Sequence, residues 1–454
     1  MAVASPTAPQ TRSRAVLPIA CAAIVPVLMN YTSPLISLPE TAAGVGAGPL
    51  AQTWIMNASP LGLAAALLVA GILADNFGRR RMLLVGALGM GLTSAIVALS
   101  TDAAVLIGAR IGQGVAGAAI IAASLGLLGS NYTDPAERGR ATGLWAMALG
   151  AGLAVGPLAT GALTEAWSWR AIYWVYAAVS IALAVAVTRL DESRAEQRRP
   201  VHYAGIVSFV SGMCFLLAAI TLARTGWTRL PVLVLLGATV VALAGFVALS
   251  LRHHAPMVDM RLFRHRPFLL SVTGSGLNGL LMIGVMSVLP TAWQHTHHFD
   301  ALHMAIPFTV YPLAALVIAR LARYVPVPPI RLLAIGYGLS LAQLLMVGSM
   351  TNWSMPRVVI SYLIAGIGAG FVNAANARMA VDSVPSANAS MGSGAANTAR
   401  YVGSAMGVAI GIAVVGGLGW ADGVNSVLIG SAVLLGLAAL GYASVGRVRR
   451  PSLA

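Results

Sequence analysis

The residues best suited to chemistry are a few polar side chains set inside long apolar runs. Arg110 stands in Val105-Leu-Ile-Gly-Ala-Arg110-Ile-Gly-Gln113-Gly114-Val-Ala-Gly-Ala-Ala119. A guanidinium stays charged at any working pH, so there it can hold an anion, order hydrogen bonds or tune a neighbouring acid. Gln113 follows three residues on and shares its helical face. Asn30, Asn57, Trp145, Asn278, Gln343, Asn373 and Asn376 are further polar side chains in apolar surroundings. Each can bond a bound molecule or tie one helix to another. A second group is the loop Gly71-Ile-Leu-Ala-Asp75-Asn-Phe-Gly78-Arg79-Arg80-Arg81. Gly78 permits a tight turn, Asp75 can accept hydrogen bonds from a helix N-terminus, and the arginines can pair with acids of a neighbouring loop. A third group is Gly152, Gly156 and Gly161 around Pro157. Small residues let helices approach closely, and the proline removes a helix hydrogen bond.

The elements that position these residues are membrane spans. Of the 454 residues 58% are hydrophobic and 9% charged, whereas soluble domains carry about 25% charged residues. Runs of the roughly 20 apolar residues that a spanning helix needs recur fourteen times, near 15–38, 51–73, 82–100, 103–129, 139–163, 169–188, 203–223, 230–250, 268–290, 303–322, 330–350, 357–378, 395–419 and 423–446. The net charge of +15 does not mark a nucleic-acid partner, because the arginines sit in short loops between apolar runs. With both chain ends in the cytoplasm, twenty-two of the 28 arginines fall inside, and Arg170, Arg224, Arg229 and Arg357 fall outside. An even number of spans is what produces this asymmetry.

Several function classes are excluded or left without support. The chain has no Lys, so the phosphate-binding loop G-x-x-x-x-G-K-[ST] is impossible. No nucleophile elbow or zinc-protease motif occurs, and no enzyme activity or cofactor is expected. Cys21 and Cys214 lie in apolar runs and imply neither a disulfide framework nor a metal site. His295, His297, His298 and His303 cluster with Asp300 in an outer loop. A zinc site or pH sensor is conceivable there, but the spacing matches no metal motif, and the group reads as a solvated loop. The first apolar run continues as a spanning helix with no cleavage site, so no cleaved signal peptide is expected.

The motifs together resemble a known family. The Gly71–Arg81 stretch resembles the signature loop G-x-L-a-D-r-x-G-r-[RK]-x of the major facilitator superfamily. The Arg110 stretch is similar to its l-x-x-x-R-x-x-q-G-x-x-x-A motif, and Gly152–Gly161 to its antiporter motif g-x-x-x-G-P-x-x-x-G. Fourteen spans, Trp167-Ser-Trp169-Arg170-Ala-Ile-Tyr173-Trp174 and Pro256-Met-Val-Asp259-Met-Arg261-Leu-Phe263-Arg264 resemble the 14-helix drug:proton antiporter branch. The resemblance implies an all-α polytopic membrane protein. It would have a cytoplasmic N-terminus (1–14), a six-helix bundle (15–190), two extra helices with their loops (191–267), a second six-helix bundle (268–446) and a cytoplasmic tail (447–454). It implies a monomeric secondary active exporter of small organic or amphipathic molecules in the cell inner membrane. Transport would proceed by proton antiport and alternating access. In family terms Gly71, Asp75, Gly78 and Arg79 to Arg81 form a gate. Arg110 and Gln113 serve proton coupling, although a purely structural buried arginine is also consistent with the residues. Gly152, Gly156, Pro157 and Gly161 form a hinge. A dedicated exporter of an endogenous product or lipid, or a transport-dead sensor, are the alternatives.

Two departures from the pattern narrow the expectation. The branch carries an Asp in the first span within L-D-x-t-x-v-n-v-A-L-P, and here Asn30 holds that position in Leu28-Met29-Asn30. Asparagine cannot titrate. None of the 13 acids falls in mid-membrane on this topology, so a neutral, anionic or amphipathic cargo is expected over a dication. The second-half counterpart of the gate is also altered. Ala319-Arg320-Leu321-Ala322-Arg323 aligns with the Leu73–Asp75 stretch, and Val325-Pro-Val-Pro-Pro329 replaces the glycine turn.

Overall fold

In lipid the backbone has no water to bond, so each spanning segment must satisfy its own N–H and C=O groups, which an α-helix does. The computed structural model describes residues 13–132, 134–194, 203–223, 226–252, 260–286, 288–289, 293, 301–347, 354–382 and 389–448. The chain ends, residues 256–259 and His295 to His298 with Asp300 lie outside these, and of the His303 side chain nothing is described.

Among the described residues there are fifteen α-helices and no strand. They are α1 (Val16–Thr32), α2 (Pro34–Gly44), α3 (Pro49–Phe77), α4 (Arg79–Leu99), α5 (Ala103–Asn131), α6 (Pro135–Ala166), α7 (Ala171–Val187), α8 (Tyr203–Leu222), α9 (Leu230–Arg252), α10 (Arg266–Leu277), α11 (Ala301–Leu321), α12 (Pro329–Val347), α13 (Met355–Asp382), α14 (Ala389–Leu418) and α15 (Trp420–Val448).

Among the described residues, eleven helices are long and apolar enough to cross a membrane, and α1 with α2 makes a twelfth as a pair bent by 58°. Two shorter apolar helices, Ala171–Val187 and Ala305–Leu321, occupy the two remaining places of the expected fourteen. Length and apolarity therefore support up to twelve spans, and fourteen only when the short helices are counted.

Two segments depart from the sequence expectation. The run 15–38 is not one helix but breaks at Ser33. Pro34 has no N–H, and its ring cannot follow the carbonyl of Asn30 in a regular turn. Beyond α10, the chain leaves the α ladder for a π-helical turn over Asn278–Ile283. Such turns are rare and cluster at functional sites.

The helices pack in two groups. In the first, α3 crosses α5, α4 packs on α5 and α7, and α1 packs on α6 and α5. In the second, α12 packs on α13 and α15, α11 on α13, and α10 with the π turn on α14. The groups meet along α3 with α14 and α6 with α11, while α8 and α9 pair together beside α3. Glycine makes the tightest crossings possible. A Cβ on Gly114 would overlap the Ser59 carbonyl and the Gly62 backbone, so α3 and α5 touch nearly backbone to backbone. Val240 and Val241 of α9 stand exposed, as a lipid-facing surface requires.

Candidate functional site

Arg110 is fully buried on α5. Its Nε donates to the Ile55 carbonyl of α3 at 2.9 Å. Its Nη1 donates to the Tyr173 hydroxyl of α7 at 3.0 Å and more weakly to Asn30 Oδ1 of α1 at 3.5 Å. Nη2 of Arg110 and Nδ2 of Asn30 are both buried without a partner. Every acceptor around this cation is neutral, and no carboxylate pairs with it among the described residues. Burying an ion costs several kcal/mol even after relaxation, so the missing counter-charge is the main electrostatic feature here. A hydroxyl cluster stands alongside at the break between α1 and α2. Ser33 and Tyr176 hydroxyls share a hydrogen bond of 2.5 Å, Thr160 donates to Ser33 at 3.0 Å, and Tyr176 meets Tyr173 edge-on at 5.9 Å. Gln113 shares the helix face but is tied elsewhere, its Nε2 donating to Ser94 of α4 at 3.0 Å.

The Gly71–Arg81 loop is a closed clasp. Gly78 has φ 118°, a conformation that L side chains rarely adopt. Asp75 does not serve the N-terminus of α4. It accepts from Arg79 Nη2 at 2.8 Å, one turn on. Glu192, beyond α7, takes the capping place, with Oε1 accepting the Arg80 N–H at 3.1 Å and Oε2 the Arg81 N–H at 3.3 Å. Arg79 also donates to the Ser193 carbonyl and hydroxyl, and Ser193 reaches Ser130 of α5 at 2.8 Å. The loop therefore locks α3, α4, α5 and the segment after α7 together. On α6, Gly152 and Gly156 lie against Val25, Met29 and Thr32 of α1. The helix runs unbroken past Pro157, and Gly161 is buried.

A polar cavity of about 90 Å³ opens between α10, α13 and α14. Ser275, Asn278, Asn373, Asn376, Asn397 and Arg400 line it. Asn278 Nδ2 donates to Asn373 Oδ1 at 2.8 Å, whereas neither amide atom of the buried Asn376 has a partner. Arg400 lies over the Tyr401 ring at 5.1 Å, and its Nε is unpaired. Tyr401 meets Tyr31 of α1 at 5.9 Å, and the Tyr31 hydroxyl bonds Ser404 at 2.9 Å. So the first helix reaches the second group beside the cavity.

Three of the seven expected cavity residues, Asn278, Asn373 and Asn376, thus meet in one place. Asn30 joins Arg110 instead. Trp145 donates to Ser124 at 3.1 Å, Gln343 lines a separate void of about 10 Å³ with Tyr311, and Asn57 is buried with its Oδ1 unpaired. Sequence reasoning missed Tyr173, Tyr176, Ser33, Glu192 and Ser193 as partners. Their types are unremarkable in the sequence, and only their long-range neighbours give them a role.

Residues 19–408 match the family model described as the Major Facilitator Superfamily. The chain belongs to that superfamily. This facilitator is 30% identical over 419 residues to the multidrug efflux pump LfrA of Mycolicibacterium smegmatis, covering 89% of this chain and 82% of that protein. It is 30% identical over 422 residues to the cephamycin export protein CmcT of Amycolatopsis lactamdurans, covering 88% and 84%. Its fold matches the crystal structure of the POT family transporter PepTSo with a TM-score of 0.71 at 13% identity, over 96% of this chain and 99% of that one. The facilitator is a multi-pass membrane transporter whose relatives include efflux, export and resistance proteins.

Proposed function

We propose that this facilitator is a secondary active exporter of small organic or amphipathic molecules. It sits in the bacterial inner membrane with both termini in the cytoplasm and works as a monomer. Two six-helix bundles, 15–190 and 268–446, rock about a central site, and 191–267 adds two flanking helices. The single observation that carries the reading is the amide-lined cavity at Asn278, Asn373, Asn376 and Arg400, a polar chamber inside a lipid-facing helical shell. The efflux and export roles for which LfrA and CmcT are named support the direction of transport.

Within this reading the clasp of Asp75, Arg79 to Arg81 and Gly78 is the cytoplasmic gate, with Gly71 on the preceding helix. Arg110 and Gln113 couple transport to protons, and α6 flexes about Gly152, Gly156, Pro157 and Gly161. Proteoliposomes that contain the purified chain and a pH dye test it. Addition of an amphipathic fluorescent substrate on one side is expected to produce saturable uptake with counter-movement of protons. Flux no greater than in protein-free liposomes across neutral, anionic and cationic dyes would sink the proposal.

A further inference from the structure

Among the described residues, the interior of the first helical group holds a cation with no anion to match. Arg110 is sealed from solvent, and its three neighbours, the Ile55 carbonyl, Asn30 Oδ1 and the Tyr173 hydroxyl, are all neutral. Two N–H donors point to no acceptor, at Arg110 Nη2 and Asn30 Nδ2. The Tyr173 hydroxyl accepts from Arg110, which leaves its own proton to give. A buried guanidinium that only holds helices together needs acceptors for its outer nitrogens, because an unmet buried charge is destabilising. Here the chain supplies donors where a counter-charge belongs.

We propose that Arg110 and Asn30 form a binding site for a small anionic group, either the carboxylate of a transported molecule or an inorganic monoanion. The assignment to a cargo carboxylate rests on the exporter reading above, and the anion site itself does not. Arg110 Nη2 takes one lone pair of the anion and Asn30 Nδ2 another. Charge-assisted bonds of this kind are about twice as strong as neutral ones. The location also suits an entering ligand. Asn30 lies one turn before the break at Ser33, where α1 and α2 bend by 58°. The next residue, Tyr31, reaches Ser404 and Tyr401 beside Arg400, so α1 touches both Arg110 and the helix that carries Arg400. The acid absent from the first span is then brought by the ligand.

Full-length protein purified in detergent, with thermal unfolding followed by fluorescence, tests the site. The probes are sodium benzoate, neutral benzamide of the same shape, and sodium chloride, each against buffer brought to the same ionic strength with the bulky sulfonate HEPES. The informative variant is Asn30→Asp, which sets a carboxylate beside Arg110 and preserves folding by pairing with it. Wild type is expected to show a saturable rise in unfolding temperature with an anion and none with benzamide. In Asn30→Asp the apparent affinity drops at least tenfold, while Arg252→Gln, at the exposed end of α9, retains it. A response to benzoate alone assigns the site to cargo carboxylates, and a response to chloride that competes with benzoate shows that an inorganic anion also occupies it. Equal responses in wild type and Asn30→Asp, no saturable anion response in wild type, or equal stabilisation by benzamide would each overturn the proposal. None of these readouts depends on transport, so a failed export assay and a failed anion site are separate results.

Discussion

Glu192 occupies the space that a side chain on Gly78 would need. A Cβ at Gly78 would collide with the Glu192 carboxyl group, and the same carboxyl group closes the N-terminus of α4 through the N–H groups of Arg80 and Arg81. The turn residue and its cap, 114 positions apart, are thus one device. Gly78→Ala meets both the positive φ and the collision. Strain at such a position costs on the order of 1–3 kcal/mol. A lower unfolding temperature in detergent is expected, and the double variant Gly78→Ala with Glu192→Ala is expected to lose less than the sum of the two singles. Additivity in that cycle would refute the coupling.

Glu192→Gln keeps the shape and removes the charge of the cap. Loss of a helix cap costs about 0.5–2 kcal/mol, concentrated here at the start of α4. Hydrogen exchange should show faster exchange of the Arg80 and Arg81 amides with little change in α5. Unchanged protection at both amides would count against Glu192 as the cap.

Gly114→Leu tests the crossing of α3 on α5. The added side chain has no room against Ser59 and Gly62, and overpacking costs typically 1–3 kcal/mol or more. Folded yield and unfolding temperature should both fall. At Gly108 of the same helix no atom lies within contact of an added Cβ, so Gly108→Ala serves as the matched control and should leave both near wild type.

Asn376→Leu separates function from stability. The amide is buried and bonded to nothing, so an apolar side chain of similar size removes an unmet polar group at little cost or with a gain. Unfolding temperature should hold or rise, while transport of a bound substrate falls at least tenfold through a higher KM. Wild-type transport in a stable Asn376→Leu protein would remove the cavity from the substrate path.

Local patterning made the membrane class, the approximate spans and the arginine asymmetry legible in the sequence. A run of apolar residues needs no partner to declare itself. Arg110 was conspicuous for the same reason, as a charge standing where hydropathy forbids one. The glycine spacing of the Gly71–Arg81 loop likewise announced a tight turn, because backbone conformation at Gly78 is a local matter. Partner choice was not legible. Asp75 and Glu192 are both acids able to cap α4, and the way the segment after α7 folds back decides for Glu192. Nothing local links Arg110 to Tyr173 or to the Ile55 carbonyl, since these meet only where α5 crosses α3 and α7. The same holds for Asn278, Asn373 and Arg400, which three separate stretches bring to one cavity, with Asn376 one turn from Asn373 on the same helix. Sequence settles which residues lipid rejects. The crossing of helices, set by glycine contacts and a proline break, settles what each rejected group finds instead, and at Arg110 it finds no acid among the described residues.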